Sequence, residues 1–383
     1  MNARAPRVAV AGLSARLLAQ SAARAGLNVV ALDIFGDRDT RTHAGMWFDI
    51  GGDGLSIDRV RLYDALERVA RLPRMLGLIV TSGLEPHTME LSRAPGVPRF
   101  IGNGAQSAAV RDPRRFFALL DEARIAHPDV CLTRPADARD WLVKRRDGCG
   151  GTHIEWARDI DVLPSGAYFQ RLAQGRSMSA LFIAAHREAV VIGFAEQLTV
   201  SAHHLPFVHA GSLGPVTLPR DTAARIVEAI ETIVWQTGLT GLGSIDFLLD
   251  GDSFQVLEIN TRPSSTMALY EAAWPDVWPH GLIEAHLDAC LDGHLPRTDT
   301  AFKRAPLVAG QRVVFAQQGF VVSQAFSDAC FADPACHDVP LPGARIEAGM
   351  PVCTMMAAAP ELDTLRVSLD SECTRILQRI TSH

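Results

Sequence analysis

Residues Gly241 to Thr266 read GLGSIDFLLDGDSFQVLEINTRPSST, two strand-like runs around an Asp-Gly-Asp turn. Ser244 to Leu249 and Ser253 to Asn260 are rich in β-branched and aromatic residues, and Asp250-Gly251-Asp252 supplies the turn chemistry of a hairpin. Side chains alternate along a strand, so Glu258 and Asn260 share one face. Closing the pair at that three-residue turn sets Asp246 opposite Val256 and diagonal to Glu258 on the same face. Two carboxylates and an amide carbonyl then converge, a hard-oxygen set that suits Mg²⁺ and would also accept Mn²⁺. Arg262, two residues further on, projects the same way. A solvent-facing hairpin with a polar face would read identically, so the rest of the chain has to decide.

The chain has 383 residues, 48% hydrophobic and 21% charged, with a net charge of -6, enough for two or three domains with their own cores. The mild acidity and the lack of a long Lys/Arg run argue against a nucleic-acid partner. No apolar run reaches the ~20 residues that cross a bilayer, and MNARAPRVAVAGLSARLL is not a signal peptide, so a cytoplasmic location without a membrane partner is expected. The seven cysteines are scattered, with no C-x-x-C pair, which favours neither a disulfide framework nor a zinc site.

Arg7 to Gly12 forms a strand, Leu17 to Ala25 a helix stopped by Gly26, and Asn28 to Asp33 a second strand: a βαβ unit opening an α/β domain over residues 1–110. Gly12 stands alone without G-x-G-x-x-G, so Asp33 does not make a convincing ribose ligand of a nicotinamide cofactor. A helix over 57–72 and strands at 76–81 and near Phe100 continue the domain. From Asp112 a helix carries Phe116, Phe117, Leu119 and Leu120, and Trp141 to Lys144 is a strand entering RRDGCGGTHI. Gly148, Gly150 and Gly151 let backbone N–H groups turn toward an anion, and Lys144 before them supplies a point charge for a phosphate. No Walker A sequence is present. A glycine-rich tip alone is more often just a turn; with the oxygen-ligand set it suggests a nucleotide triphosphate.

The order of Lys144, the glycine loop, Tyr168-Phe169-Gln170, Asp246 and the Glu258-Ile259-Asn260-x-Arg262-Pro263 run resembles the ATP-grasp superfamily, over roughly residues 98 to 295. The resemblance implies an ATP-grasp domain at 111–296 behind a Rossmann-like domain at 1–110; after Pro296, short apolar runs punctuated by glycine and proline, then Leu362, Leu365, Leu369, Cys373, Ile376 and Ile380 at helical spacing, read as a small β-rich domain with a terminal helix at 297–383, so the whole is an α/β and α+β protein. It implies that Lys144 contacts ATP phosphates, that Gly148 to Thr152 form a flap over them, and that Phe169 and Gln170 run beside the adenine. Asp246, Glu258 and Asn260 would hold Mg²⁺, and Arg262 would stabilise the acyl phosphate or the tetrahedral intermediate. The second ATP lysine of many members is missing: Asp112 is followed by Pro113, with Arg114 or Arg115 as the substitute, and a planar guanidinium is not an ammonium. The hinge position, often acidic, is Gln170.

The activity this resemblance implies is that of an ATP- and Mg²⁺-dependent carboxylate-amine ligase acting through an acyl phosphate, in the branch related to biotin carboxylase that includes tyramine-glutamate ligases. Its partners are a small carboxylate and an amine, within a possible homodimer. The alternatives are a bicarbonate-using carboxylase and a nucleotide-binding regulatory protein without turnover. Phosphoryl transfer to a carboxylate needs alignment and charge neutralisation rather than a covalent side-chain nucleophile. Cys149 is therefore read as a small residue among glycines, and His203, His204 and His209 as exposed histidines of a lid near the cleft, with a catalytic base as the alternative. Substrate specificity is placed in the loops at Gly12, 35–41, 82–87 and 201–215. Met355 and Met356, with no neighbouring lysine to modify, read as core filler.

Overall fold

The computed structural model describes residues 5–160, 162–202, 204–297, 300 and 303–382. Strands β1 (Arg7–Ala11), β2 (Asn28–Asp33), β3 (Ala44–Asp49) and β4 (Met75–Val80) form a parallel sheet in the order β3-β2-β1-β4. The helix Arg16–Arg24 buries Leu18, Ala19 and Ala22 on one side of it, and the helix Arg59–Ala70 buries Leu62, Ala65, Leu66 and Val69 on the other. The central strands β1 and β2 are apolar over Val8–Ala11 and Val29–Leu32 because both their faces are covered, whereas the edge strand β3 is mostly exposed or half-buried. The run near Phe100 contributes only an isolated bridge to Leu78.

A second sheet holds β5 (Val130–Cys131), β6 (Trp141–Arg145), β7 (Ile154–Trp156) and β8 (Ala167–Arg171), in the order β5-β8-β6-β7. The third sheet takes β9 (Arg176–Ala185), β10 (Glu188–Ala202), β11 (Leu205–Gly214), β12 (Gly241–Asp250) and β13 (Ser253–Asn260). It continues without a break into β14 (Val308–Phe315), beyond which come β15 (Phe320–Val321), β16 (Cys336–His337), β17 (Arg345–Ile346) and β18 (Pro351–Ala359). Its eight strands run β13-β12-β9-β10-β11-β14-β18-β16, and β15 pairs with β17 separately. The C-terminal segment thus has a core of its own, around Val314, Phe326, Met355, Leu365 and Leu369, yet its strands extend the sheet of the preceding segment. Met355 is fully buried there.

The hairpin β12–β13 differs from its expected register. The turn is the two-residue Gly251-Asp252, with Asp250 paired to Ser253 and Gly251 at φ +56°. An irregularity between Asp246 and Phe247 then skips Leu257, so that Phe247 faces Val256 while Asp246 lies directly opposite Glu258. A regular strand would place Val256 and Glu258 on one face. The extra residue separates them: Val256 packs in the core beside Phe247, and Glu258 turns to the cavity.

Candidate active site

Asp246, Glu258 and Asn260 meet on one face of the hairpin, with Ser179 of β9 in register beside Asp246. The Asn260 side-chain amide donates to Asp246 Oδ2 at 3.0 Å, and Gln197 of β10 donates to Asp246 Oδ1 at 2.6 Å. Arg262 leaves the strand end and donates through Nε to Glu85 Oε1 at 2.8 Å; its fork also reaches Asn260 Oδ1 at 3.4 Å. Glu85 comes from the N-terminal sheet's β4 loop, where its other oxygen accepts from the Gly83 N–H at 2.6 Å. It is almost fully buried, so this pair is a desolvated tether between the two segments.

The second sheet closes the site from above. Lys144 of β6 is paired in register with Tyr168, and it shares a face with Leu142 and Gln170. Its ammonium, nearly fully buried, donates to Gln170 Oε1 at 3.3 Å and lies 3.7 Å from Glu258 Oε2. The loop after β6 turns through Gly150 (φ +61°) and Gly151 (φ +76°), and the Gly150 carbonyl accepts from the His209 N–H of β11 at 2.9 Å. At Gly151 a Cβ would stand 1.8 Å from the Phe207 carbonyl oxygen, so only glycine allows this approach. The cavity between them, open to solvent on one side, measures about 410 Å³ and is lined by Lys144, Gly150, Gly151, Gln170, Gln197, His209, Asp246, Glu258, Asn260 and Arg262, among others. Among the described residues, Gln170 Nε2 and Ser212 Oγ, both on this lining, are buried without a hydrogen-bond partner.

The carboxylate pair cannot comfortably carry two charges at this spacing. Burial and the charge of Glu258 push Asp246 up to about 7. Burial also acts against Glu258, but Lys144, His153 and Arg111 outweigh it and hold that carboxyl at about 2. Burial disfavours the Lys144 charge as well; Tyr168, Glu258 and Asp246 overcome it and raise the ammonium above its ordinary value. Burial, with Arg262 nearby, lowers His209 to about 4, which leaves a neutral imidazole at the cavity wall. The result is one charged carboxylate, one whose proton affinity is raised by burial and by its neighbour, and an amide oxygen beside them. A divalent cation would take the place of the proton. Two carboxylates plus an amide fit Mg²⁺, which completes its shell with water and phosphate oxygens rather than a full protein cage; among the described residues no group of three or more His, Cys, Asp or Glu side chains is placed to hold a metal unaided.

Residues 110–266 match the ATP-grasp domain family. The chain carries an ATP-grasp domain. Solved structures share its fold over nearly the whole length. An L-amino acid ligase from Bacillus licheniformis superposes with a TM-score of 0.69 at 12% identity, covering 96% of this chain and 97% of that one. Biotin carboxylase from Campylobacter jejuni, in a β,γ-ATP complex, gives 0.68 at 14% identity, covering 94% and 89%. N5-carboxyaminoimidazole synthetase from Staphylococcus aureus, complexed with ADP, gives 0.69 at 13% identity, covering 97% of each. No curated relative matches the sequence.

Within the ATP-grasp domain not every residue singled out in the sequence reaches the cavity. Phe169 alternates to the opposite face of β8 and packs with Val143, Ala157 and Ala167, so its ring turns away from the site that Gln170 lines. Arg114 is exposed: Asp112 caps the helix Pro113–Glu122 by accepting from the Arg114 N–H at 2.9 Å, and this puts the Arg114 side chain on the helix's outer surface. The cation that this corner directs at the site is Arg111, at the end of the helix Ala105–Arg111, whose charge acts on Glu258. Gly148 and Thr152 belong to the loop's own packing: a Cβ at Gly148 would meet His153 at 2.0 Å, and the Thr152 hydroxyl donates to the Cys149 carbonyl at 2.9 Å. His204 is exposed, 3.9 Å from Glu155, whereas His209 lines the cavity; His203 lies outside the described residues. Asp33 is fully buried and accepts from the N–H groups of Ala15 and Gly36 and from Trp47 Nε1, a structural role away from any surface a ribose could reach. Gln197 and Arg111 carried no signal in the sequence, and Glu85 was marked only as part of the 82–87 loop, because each reaches the site from an element remote in the chain.

Proposed function

We propose that the protein is an ATP- and Mg²⁺-dependent carboxylate-amine ligase. The observation that supports this best is the convergence of Lys144, Arg262 and the Asp246–Glu258 pair in one cavity of about 410 Å³, which shares Ser82, His209, Ser264 and Ser265 with a second, mostly apolar cavity of about 810 Å³. The first compartment has the cations and hard oxygens for a nucleotide and its metal; the second has room for organic substrates. The fold shared with an L-amino acid ligase supports the same reading.

In this reading Lys144 and the backbone of Gly150 and Gly151 hold the phosphates, and Gln170 Nε2 donates to the nucleotide. Asp246, Glu258 and Asn260 hold one or two Mg²⁺, which when bound neutralise phosphate charge. The substrate carboxylate oxygen attacks the γ-phosphorus, the bond to the ADP oxygen breaks, and an acyl phosphate results. The amine nitrogen attacks the carbonyl carbon, a C–N bond forms, the C–O bond to phosphate breaks, and the nitrogen loses its proton to solvent. Arg262, fixed by Glu85, faces the oxyanion that develops at that carbon. No side-chain nucleophile is needed, and burial pushes the Cys149 thiol up to about 11, against a thiolate role.

The test is ADP and phosphate release with Mg²⁺ and ATP against a panel of amino acids paired with amines, with bicarbonate run separately. Release that needs both an acid and an amine, and disappears in Glu258→Ala, is expected. Release driven by bicarbonate alone would instead make the protein a carboxylase, and ATP binding without release under any pair would make it a regulatory binder.

A further inference from the structure

The larger cavity is walled by Leu13, Leu17, Phe35, Leu341 and other apolar side chains, and carries two buried or half-buried carboxylates, Asp37 and Asp338, with one buried guanidinium, Arg16. Arg345 and Glu347, of opposite charge, lie at its exposed rim. His209 on the same lining is a neutral imidazole. The carboxylates around this wall differ in one respect. Asp338 is bound by Arg16 through two contacts, at 2.9 and 3.1 Å. Asp39, behind the wall, accepts from the N–H groups of Asp338 and Val339 at 2.8 and 3.1 Å. Asp33 accepts from three donors. The Asp37 carboxylate alone accepts no hydrogen bond among the described residues, although the residue is only 7% exposed and opens onto the cavity; its backbone carbonyl accepts from the Arg41 N–H at 3.0 Å. Burial, together with Asp338, Asp39 and Asp33, pushes its carboxyl well above the ordinary range. A buried carboxylate without a partner costs stability unless something supplies one.

Arg16 is committed to Asp338 through Nε and Nη2 and reaches Gln20 Oε1 at 3.5 Å through Nη1, and it makes no hydrogen bond to Asp37. Inside the rim the wall therefore favours positive charge over negative charge. We propose that the cavity binds a substrate with an apolar body and an ammonium group, the ammonium held by Asp37 and the reacting end directed toward His209, Ser264 and Ser265, where the two cavities join. An ammonium so held is protonated and cannot attack a carbonyl, so the substrate is bifunctional: either an amino acid whose carboxylate is activated or a diamine whose second nitrogen is acylated. Calling the occupant a substrate rests on the ligase reading; the charge preference of the cavity does not.

Calorimetry on the Mg²⁺- and ADP-loaded protein compares hexylamine, hexan-1-ol and hexanoate, with 6-aminohexanoate and 1,6-diaminohexane as the two bifunctional arms. Hexylamine is expected to bind at least tenfold more tightly than hexan-1-ol or hexanoate. Asp37→Asn should remove that preference, a roughly 10- to 100-fold loss for a charge-assisted hydrogen bond, while leaving the thermal shift induced by Mg²⁺-ATP unchanged. Asp37→Lys should reverse the preference toward hexanoate. If Asp37→Asn does not fold, as read by that thermal shift, the wild-type comparison decides. Equal binding of hexylamine and hexan-1-ol, a preference that survives Asp37→Asn, or no binding of any probe at millimolar concentration would each overturn the proposal. ADP release with 6-aminohexanoate or with 1,6-diaminohexane tells the two arms apart. Acid- and amine-dependent release untouched by Asp37→Asn would sink this site and leave the ligase reading standing; Asp37-dependent ammonium binding without release under any pair would do the opposite.

Discussion

Arg262 and Glu85 are the residues on which the alignment of the site depends, because each is buried and each is the other's counter-charge. Removing one partner of such a pair leaves an uncompensated charge, at a cost of about 3–5 kcal/mol. Glu85→Ala is therefore expected to lower the urea midpoint strongly, and Glu85→Ala with Arg262→Ala to cost less than the sum of the two single changes. Additive costs in that cycle would show that the pair is not coupled. At Asp37 the sign is reversed. Its folded-state carboxyl is raised, so the folded state prefers the protonated form, and stability is lost as pH rises from about 4, the ordinary Asp value, through the raised value. Asp37→Asn without ligand should thus be more stable than the parent chain at pH 8, with the gain shrinking to nothing as pH falls to about 4. A variant that is less stable at pH 8 would remove the argument that Asp37 is held at a cost. Lys144, Asp246, Glu258, Asn260 and Arg262 were legible in the sequence because local spacing brings most of them together. Gln197 and Arg111 were not, and Glu85 only as part of the 82–87 loop, since only the packing of distant elements delivers them.

At the scale of the element, the hairpin and the glycine loop both depend on backbone that a regular pattern does not predict. Period-two alternation recognised β12 and β13 but could not foresee that Leu257 is skipped, so the face was right and the register was not. The same limitation reversed Phe169: the strand was legible, its phase relative to the cavity was not. In the loop, Gly150 and Gly151 both have positive φ, yet their surroundings differ. A Cβ at Gly150 meets nothing within 4 Å, whereas one at Gly151 would strike the Phe207 carbonyl oxygen at 1.8 Å. Gly151→Ala is expected to force the loop off β11 and raise the KM for ATP roughly tenfold, the equivalent of ~1.4 kcal/mol of strain within the range for misplaced backbone. Gly150→Asn, which tolerates the left-handed region, should change it less than about threefold. Steady-state kinetics with the acid and amine held saturating measures both; equal effects at the two positions would mean that the contact with Phe207 does not set the loop's position.

The whole molecule is joined more tightly than composition suggests. The shift near Pro296 to short glycine- and proline-punctuated runs marks where a new core begins, but β14 pairs with β11 from Gly211↔Arg312 to Gly214↔Ala309, and Leu213 packs in the C-terminal core. The N-terminal segment is tied to the same region, through Arg16 to Asp338, Asp39 to the backbone of Asp338 and Val339, and Arg38 to Asp328. None of these contacts could be read from the chain, because each spans some 290 residues or more. They imply that a fragment ending at residue 296 loses three strands of an eight-stranded sheet, leaves the β11 edge unpaired and exposes Leu213. Such a fragment is expected to aggregate or to lack a cooperative unfolding transition. In the full chain, Leu369→Ala in the helix Leu362–Ser382, where Leu369 is buried against β14, should cost about 2–5 kcal/mol and still give a single transition. A soluble 1–296 fragment that unfolds cooperatively and binds Mg²⁺-ATP would show the opposite, a nucleotide-binding unit complete without the strands beyond it. The larger cavity would then lose Gln311, Val313, Asp338 and Leu341 while nucleotide binding survived, and the division of labour between the two compartments could be measured directly.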